Sequence, residues 1–340
     1  MNIIRYAGPE GVRVGVTDGT AVRTLAVGSV AELLAMPSGQ MRPVVEAAVS
    51  VEAGPARLLP PVDGLTEVWA CGVTYERSSA ARQEESDVAD VYARVYEAER
   101  PELFFKSPAW RVCGDGEPIG IRPDSQISVP EPELALVGNA SGEIVGVTIC
   151  DDVSSRDIEG QNPLYLPQAK IYAGACALGP GITPVWELDE GLGALAITVA
   201  VRRDGVVAWS GETSTASLHR DLGELVEYLY RSASFPHGAV LSTGTGLVPE
   251  LSFTLVPGDE VQIGIAGVGT LTNVVRLTSG FGWLTPSPDR IPGVPDDATA
   301  RQGLLGGFTG TGGGRPGGGG RNAGFGPPDM REISTAMGPL

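Results

Sequence analysis

The stretch between Glu131 and Lys170 constrains this chain more than any other. It opens as Glu131-Pro132-Glu133 and continues as Leu-Ala-Leu-Val, a short apolar run of strand type. Side chains two apart on a strand share a face, so the two glutamates present their carboxylates together. A turn of Gly138-Asn139-Ala140-Ser141-Gly142 follows, then a second apolar run from Ile144 to Ile149 that ends at Asp151-Asp152. If the runs pair as a hairpin, an aspartate returns to the two glutamates. Like charges a few ångströms apart repel unless something positive lies between them. Three converging carboxylates suit a hard divalent cation: Mg2+, Ca2+ or Mn2+. A solvated acidic hairpin edge carries the same letters, and the spacing alone leaves both readings open.

Composition narrows the partners. A net charge of −17 argues against nucleic acid and anionic membranes. No apolar run reaches the length of a membrane span, and the first residues lack a secretory pattern, so a cytoplasmic location is expected. There are two histidines, His219 and His237, too few for a His-rich zinc site. Lysine is equally scarce: Lys106 and Lys170 stand alone among arginines. Buried lysine can give up its proton and arginine effectively cannot, which marks those two positions. The four cysteines, Cys71, Cys113, Cys150 and Cys176, form no C-x-x-C pair and read as buried apolar residues.

The 340 residues divide into three parts by composition. Residues 1–62 read as a small unit, with strands at Ile3–Tyr6, Val12–Val16 and Ala21–Leu25, an Asp18-Gly19 hairpin turn, and short helices at Val30–Met36 and Val44–Val51. Pro60-Pro61 marks its end. Residues 63–285 hold the motifs, among them a buried strand at Val68–Val73 and a helix from Asp221 to about Arg231 capped by Asp221. Residues 286–340 are rich in Gly and Pro and poor in apolar residues, the composition of a disordered tail.

Several motifs resemble the core of the fumarylacetoacetate hydrolase family. They are Pro130-Glu-Pro-Glu-Leu-Ala-Leu-Val, Asp151-Asp-Val-Ser-Ser-Arg156-Asp157, Gln168-Ala-Lys170, Ala177-Leu-Gly-Pro180, Ser242-Thr-Gly-Thr245-Gly and Gly267-Val-Gly-Thr-Leu-Thr-Asn. The likeness runs from about Val68 to Arg276. It implies a mixed α+β, β-rich fold: a fumarylacetoacetase C-terminal-like β-roll with a small N-terminal α/β unit and a disordered C-terminal tail. It also implies Glu131, Glu133 and Asp152 as metal ligands, with Mg2+ (or Ca2+ or Mn2+) as cofactor, and Lys170 lining the active site. Thr245, Lys106, Arg77 and Tyr75 become candidate substrate-binding residues, and a homodimer or homotetramer is expected.

One departure matters. Many family members place a His–Glu acid–base pair after the Val68–Val73 strand, and those positions are Ser78 and Ala81 here. Without that base, hydrolysis and decarboxylation become harder to account for. Glu102 stands where many relatives carry an apolar residue and offers a carboxyl in exchange. A helix from Ser78 to about Arg100 serves either as a lid or as a solvated face. In these features the chain is similar to the family members that dehydrate 2-keto-3-deoxy-pentonates to 2,5-dioxopentanoate. Lys170 and Glu102 are then the catalytic candidates, with the acid and base roles open. An acylpyruvate-type hydrolase or a 2-oxo acid decarboxylase, and a non-catalytic metal-binding scaffold, are the alternatives.

Overall fold

The structure, a computed structural model, describes residues 1–8, 11–52, 57–78, 94–189 and 191–278. The expected C-terminal tail, Ala81 and most of the Ser78–Arg100 helix lie outside these residues. The chain begins with strands β1 (Asn2–Gly8), β2 (Gly11–Thr17) and β3 (Val22–Thr24), then helices α1 (Val30–Leu34) and α2 (Ser38–Glu46). The β2–β3 turn is built as expected, since Asp18 Oδ1 accepts from the Thr20 and Ala21 amides. Strands β4 (Ser50–Glu52), β5 (Arg57–Leu59), β6 (Glu67–Gly72) and β7 (Glu102–Pro108) follow. The helix expected over Val44–Val51 is corrected here. Its first residues finish α2, and Ser50–Glu52 instead pair with β3 at the sheet edge, where tertiary pairing overrides local periodicity.

The short strands β8 (Ile119–Ile121) and β9 (Ser128–Val129) lead into the expected hairpin of β10 (Pro132–Gly138) and β11 (Ile144–Asp152). Asn139 shapes its turn: Oδ1 accepts from the Ser141 and Glu143 amides at 3.0 and 2.9 Å. Next come β12 (Ser154–Ser155), α3 (Arg156–Gln161), α4 (Leu166–Lys170) and β13 (Cys176–Pro184). The chain closes with β14 (Ala196–Arg203), β15 (Val206–Ser214), α5 (Leu222–Tyr230), β16 (Ala239–Ser242), β17 (Glu260–Ile265) and β18 (Gly269–Leu277). Asp221 caps α5 through the Glu224 amide at 2.9 Å.

These strands form two main sheets. The larger has the order β4-β3-β2-β1-β13-β11-β10-β16-β6-β7, with β5 added beside β1. The smaller has the order β15-β14-β17-β18-β8. The strands of residues 1–62 join the larger sheet through β1 against β13. Every residue of β10 is buried because both faces are covered. Leu134 and Leu136 pack with Ile197, Ile263 and Leu271 of the smaller sheet. Ala135 and Val137 pack on the other side with Leu33, Leu34 and Met41 of the helices. Truncating Leu136 to Ala at such a site costs about 2–5 kcal/mol. The outcome is a β-rich α+β protein whose central hairpin is held rigidly between two cores.

Candidate active site

Strand alternation decides which acids meet. Glu133 shares the face of Ala135 and Val137, and Asp152 that of Cys150, while Asp151 points to the opposite side. Opposed across the hairpin, Glu131, Glu133 and Asp152 bring one oxygen each to within 4.8 Å of one another, and all three residues are buried. The backbone ties the ends together: the Asp152 amide donates to the Glu131 carbonyl at 3.0 Å, and the Glu131 amide to Asp151 Oδ1 at 3.1 Å. Glu133 is oriented by two donors, Ser242 Oγ at 2.5 Å and the Gly244 amide at 2.8 Å, both on Oε2.

Three buried cations stand around these acids. Lys170, at the end of α4, donates to Glu131 Oε2 at 2.6 Å, Asp152 Oδ2 at 3.1 Å and Ser154 Oγ at 2.6 Å. Arg156 pairs with Glu131 Oε1 at 3.0 Å. Lys106 pairs with Asp152 Oδ1 from the far side and donates to the Lys170 carbonyl at 2.6 Å. Even so, burial and then the charges of Asp152 and Glu131 push the Glu133 carboxyl well above its usual range. Burial likewise pushes Asp151 up to about 8. A set of oxygen donors this crowded fits a hard divalent cation, which would relieve the repulsion.

Glu131 and Glu133 of the cluster line a small pocket that is partly open to solvent. Glu102 and Phe104 of β7, Gly72, Ser78 and Thr245 line it together with Glu131, Glu133 and Lys170. Glu102 sits close against Gly72, where a Cβ would collide with its carboxylate. Lys170 and Glu102 therefore face one cavity.

The candidate substrate-binding residues separate. Thr245 lines the pocket, but its hydroxyl donates to the Pro132 carbonyl at 3.0 Å, and the neighbouring Gly244 amide is taken by Glu133. Lys106 is 1% exposed, makes its contacts behind the cluster and does not line the pocket. Its ammonium is taken by Asp152 and by the carbonyls of Val153 and Lys170. Tyr75 is buried beside Gly246 and is not in the pocket lining; among the described residues its hydroxyl has no hydrogen-bond partner. Arg77 is exposed and outside the lining. Two lining residues were not singled out from sequence: Arg156 and Glu159, both buried on α3, with Glu159 Oε1 4.0 Å from Lys170 Nζ. Their signal is the i, i+3 spacing just after Asp152, which places both on one helix face.

Among the described residues no helix is long and apolar enough to cross a membrane. Residues 67–276 match the fumarylacetoacetate (FAA) hydrolase C-terminal family. The chain is 48% identical over 215 residues to a probable 2-keto-3-deoxyxylonate dehydratase of Haloferax volcanii, covering 63% of this chain and 73% of that protein. It is 43% identical over 232 residues to the 2-dehydro-3-deoxy-D-arabinonate dehydratase of Saccharolobus solfataricus, covering 67% and 77%. A solved 2-keto-3-deoxy-D-arabinonate dehydratase, complexed with magnesium and 2,5-dioxopentanoate, superposes with a TM-score of 0.72 at 34% identity. That likeness covers 82% of this chain and 99% of the other. With the carboxylate cluster, the pocket and these relatives in agreement, the chain belongs to the fumarylacetoacetate hydrolase family.

Proposed function

We propose that this protein is a divalent-metal-dependent dehydratase that converts a 2-keto-3-deoxy-pentonate to 2,5-dioxopentanoate. The observation that carries the reading is the buried Glu131–Glu133–Asp152 cluster with Lys170 on it, next to a pocket that Lys170 and Glu102 both line. The dehydratase relatives, one of them complexed with magnesium and 2,5-dioxopentanoate, support the same chemistry.

A bound Mg2+ supplies a Lewis acid for the carboxylate and keto oxygens of a 2-oxo acid, which acidifies the C3 protons. Glu131, Glu133 and Asp152 would hold it. The remaining chemistry is proton traffic: one C3 proton leaves, the C4 hydroxyl departs as water, and the C3=C4 double bond then shifts toward C5. Tautomerisation of the resulting enol gives the aldehyde. No water is consumed, so nothing in the sequence of steps needs the missing His–Glu pair. Lys170 and Glu102, both in the pocket lining, are the acid–base groups of this reading. Thr245 and Glu159 shape the cavity between them, and Tyr75 packs behind it. Arg77 reaches the substrate in this reading only if the segment that carries it turns inward.

The same reading takes residues 63–285 as the catalytic unit, residues 1–62 as a docked accessory, and the working form as a cytoplasmic homodimer or homotetramer. Incubating purified protein and Mg2+ with 2-keto-3-deoxy-pentonates tests the activity. Semialdehyde formation is expected. A cleaved acid or CO2 would point to hydrolysis or decarboxylation, and no turnover would point to a scaffold. Each of those outcomes overturns the dehydratase.

A further inference from the structure

Leu218, His219 and Arg220 link β15 to α5 and lie far in sequence from the pocket. They nevertheless contact the two segments that lead to its lining, the one after β6 and the one before β7. Tyr75 and Leu218 form an isolated antiparallel bridge, and the His219 amide donates to the Thr74 carbonyl at 2.9 Å. That seam holds the segment after β6, which carries Val73 and Ser78 into the pocket lining.

The segment before β7 is held by side chains. The His219 ring stacks on Tyr96 with centroids 4.3 Å apart and planes 22° apart. The Arg220 guanidinium donates to the carbonyls of Val95 at 3.1 Å, Tyr96 at 3.4 Å and Glu99 at 3.2 Å, and to that of Ala98. Residues 94–97 are helical. The acceptors are thus carbonyls at a helix C-terminus, which the helix itself cannot satisfy and which attract a cation. The chain runs from Glu99 directly into β7, whose first residue is Glu102. Arg220 and Glu102 both lie near enough to act on the Cys71 thiol, with opposite sign.

We propose that Arg220 is a positioning residue that holds Glu102 in the pocket. It rests on the reading of Glu102 as an acid–base group. A planar guanidinium satisfies several carbonyls at once and fixes where the helix ends. That endpoint sets the start of β7, and with it the placement of the Glu102 carboxylate against Gly72. A shift of about 1 Å at a reacting group can cost about a hundredfold in rate. A lysine at this position keeps the charge without the fork and holds the endpoint less firmly.

A double-mutant cycle on the full chain with Mg2+ tests this, comparing Arg220→Ala, Arg220→Lys, Glu102→Gln and Arg220→Ala/Glu102→Gln. With wild type active, Arg220→Ala is expected to lower kcat ten- to a hundredfold with KM and Mg2+ affinity nearly unchanged. Arg220→Lys recovers part of that loss. In the Glu102→Gln background, Arg220→Ala costs less than twofold, because the group it positions is already gone. An equal loss in both backgrounds, or a loss confined to KM or to Mg2+ affinity, overturns the inference and leaves the dehydratase reading standing. If Arg220→Ala does not fold, the cycle is run with Arg220→Lys and judged in the same way. An inactive wild type overturns both.

Discussion

Lys106 donates its ammonium to the backbone carbonyl of Lys170 at 2.6 Å, so one of the two lysines in this chain fixes the other. The same ammonium pairs with Asp152. The two cations differ in environment more than in chemistry. Lys106 pairs with Asp152 outside the pocket lining, whereas Lys170 pairs with Glu131 and Asp152 and lines the pocket. Lys170→Arg should therefore bind a 2-oxo acid in the presence of Mg2+ yet turn it over about 10²–10⁴-fold more slowly, since arginine cannot release a proton. Steady-state kcat and KM on a 2-keto-3-deoxy-pentonate check this, and near-normal kcat would move the proton transfer elsewhere.

Lys106→Met should act on stability. It leaves the Asp152 charge buried and uncompensated on that side, which costs about 3–5 kcal/mol. Chemical denaturation of the metal-free protein reads the loss. A variant as stable as wild type would mean that Asp152 is neutralised by other means.

Glu133→Gln should abolish the stabilisation by Mg2+ without weakening the metal-free fold. Burial, then Asp152 and Glu131, already disfavour charge on this carboxyl. Glutamine keeps an acceptor for Ser242 Oγ and the Gly244 amide. In wild type a metal concentration 100 times Kd is worth about 2.7 kcal/mol. Melting scans with and without Mg2+ should show that rise in wild type and none in the variant.

Metal-free protein should lose stability as pH rises. Asp151 is raised from 3.8 to about 8 by burial, so the folded state prefers it protonated. That contribution is complete below the unfolded value and is lost as pH climbs through the folded one, between about 4 and 8. Asp151→Asn retains an acceptor for the Glu131 amide and removes the titration. Its stability curve should be flatter over that window, and an unchanged slope would assign the dependence to other groups.

Gly72→Ala should separate the pocket from the fold. The new Cβ would collide with the Glu102 carboxylate, the movable end of a side chain, rather than with backbone. The carboxylate gives way, kcat falls by about tenfold or more, and the melting temperature barely changes. Wild-type turnover in this variant would remove Glu102 from the reaction.

Much of the site was legible because it is local. Glu133 lies on β10 and Glu131 one residue before it, two positions apart, and a turn built by Asn139 brings Asp152 back to them. Period-two alternation and turn chemistry are short-range rules, and both operate here without help from the rest of the chain. The scarcity of lysine likewise drew attention to Lys106 and Lys170 from composition alone. What sequence could not settle is depth and direction. Lys106 sits in a strand as Glu102 does, yet one is sealed behind Asp152 and the other faces the cavity. Arg156 and Glu159 are buried where α3 packs on α4, β9 and β12, a placement that no local pattern fixes. Ser242 and Gly244, more than a hundred residues from Glu133, orient it only because β16 pairs with β10. Those contacts depend on which strands become neighbours, and that is decided by burying both faces of the central hairpin, a property of the whole chain rather than of any stretch of it.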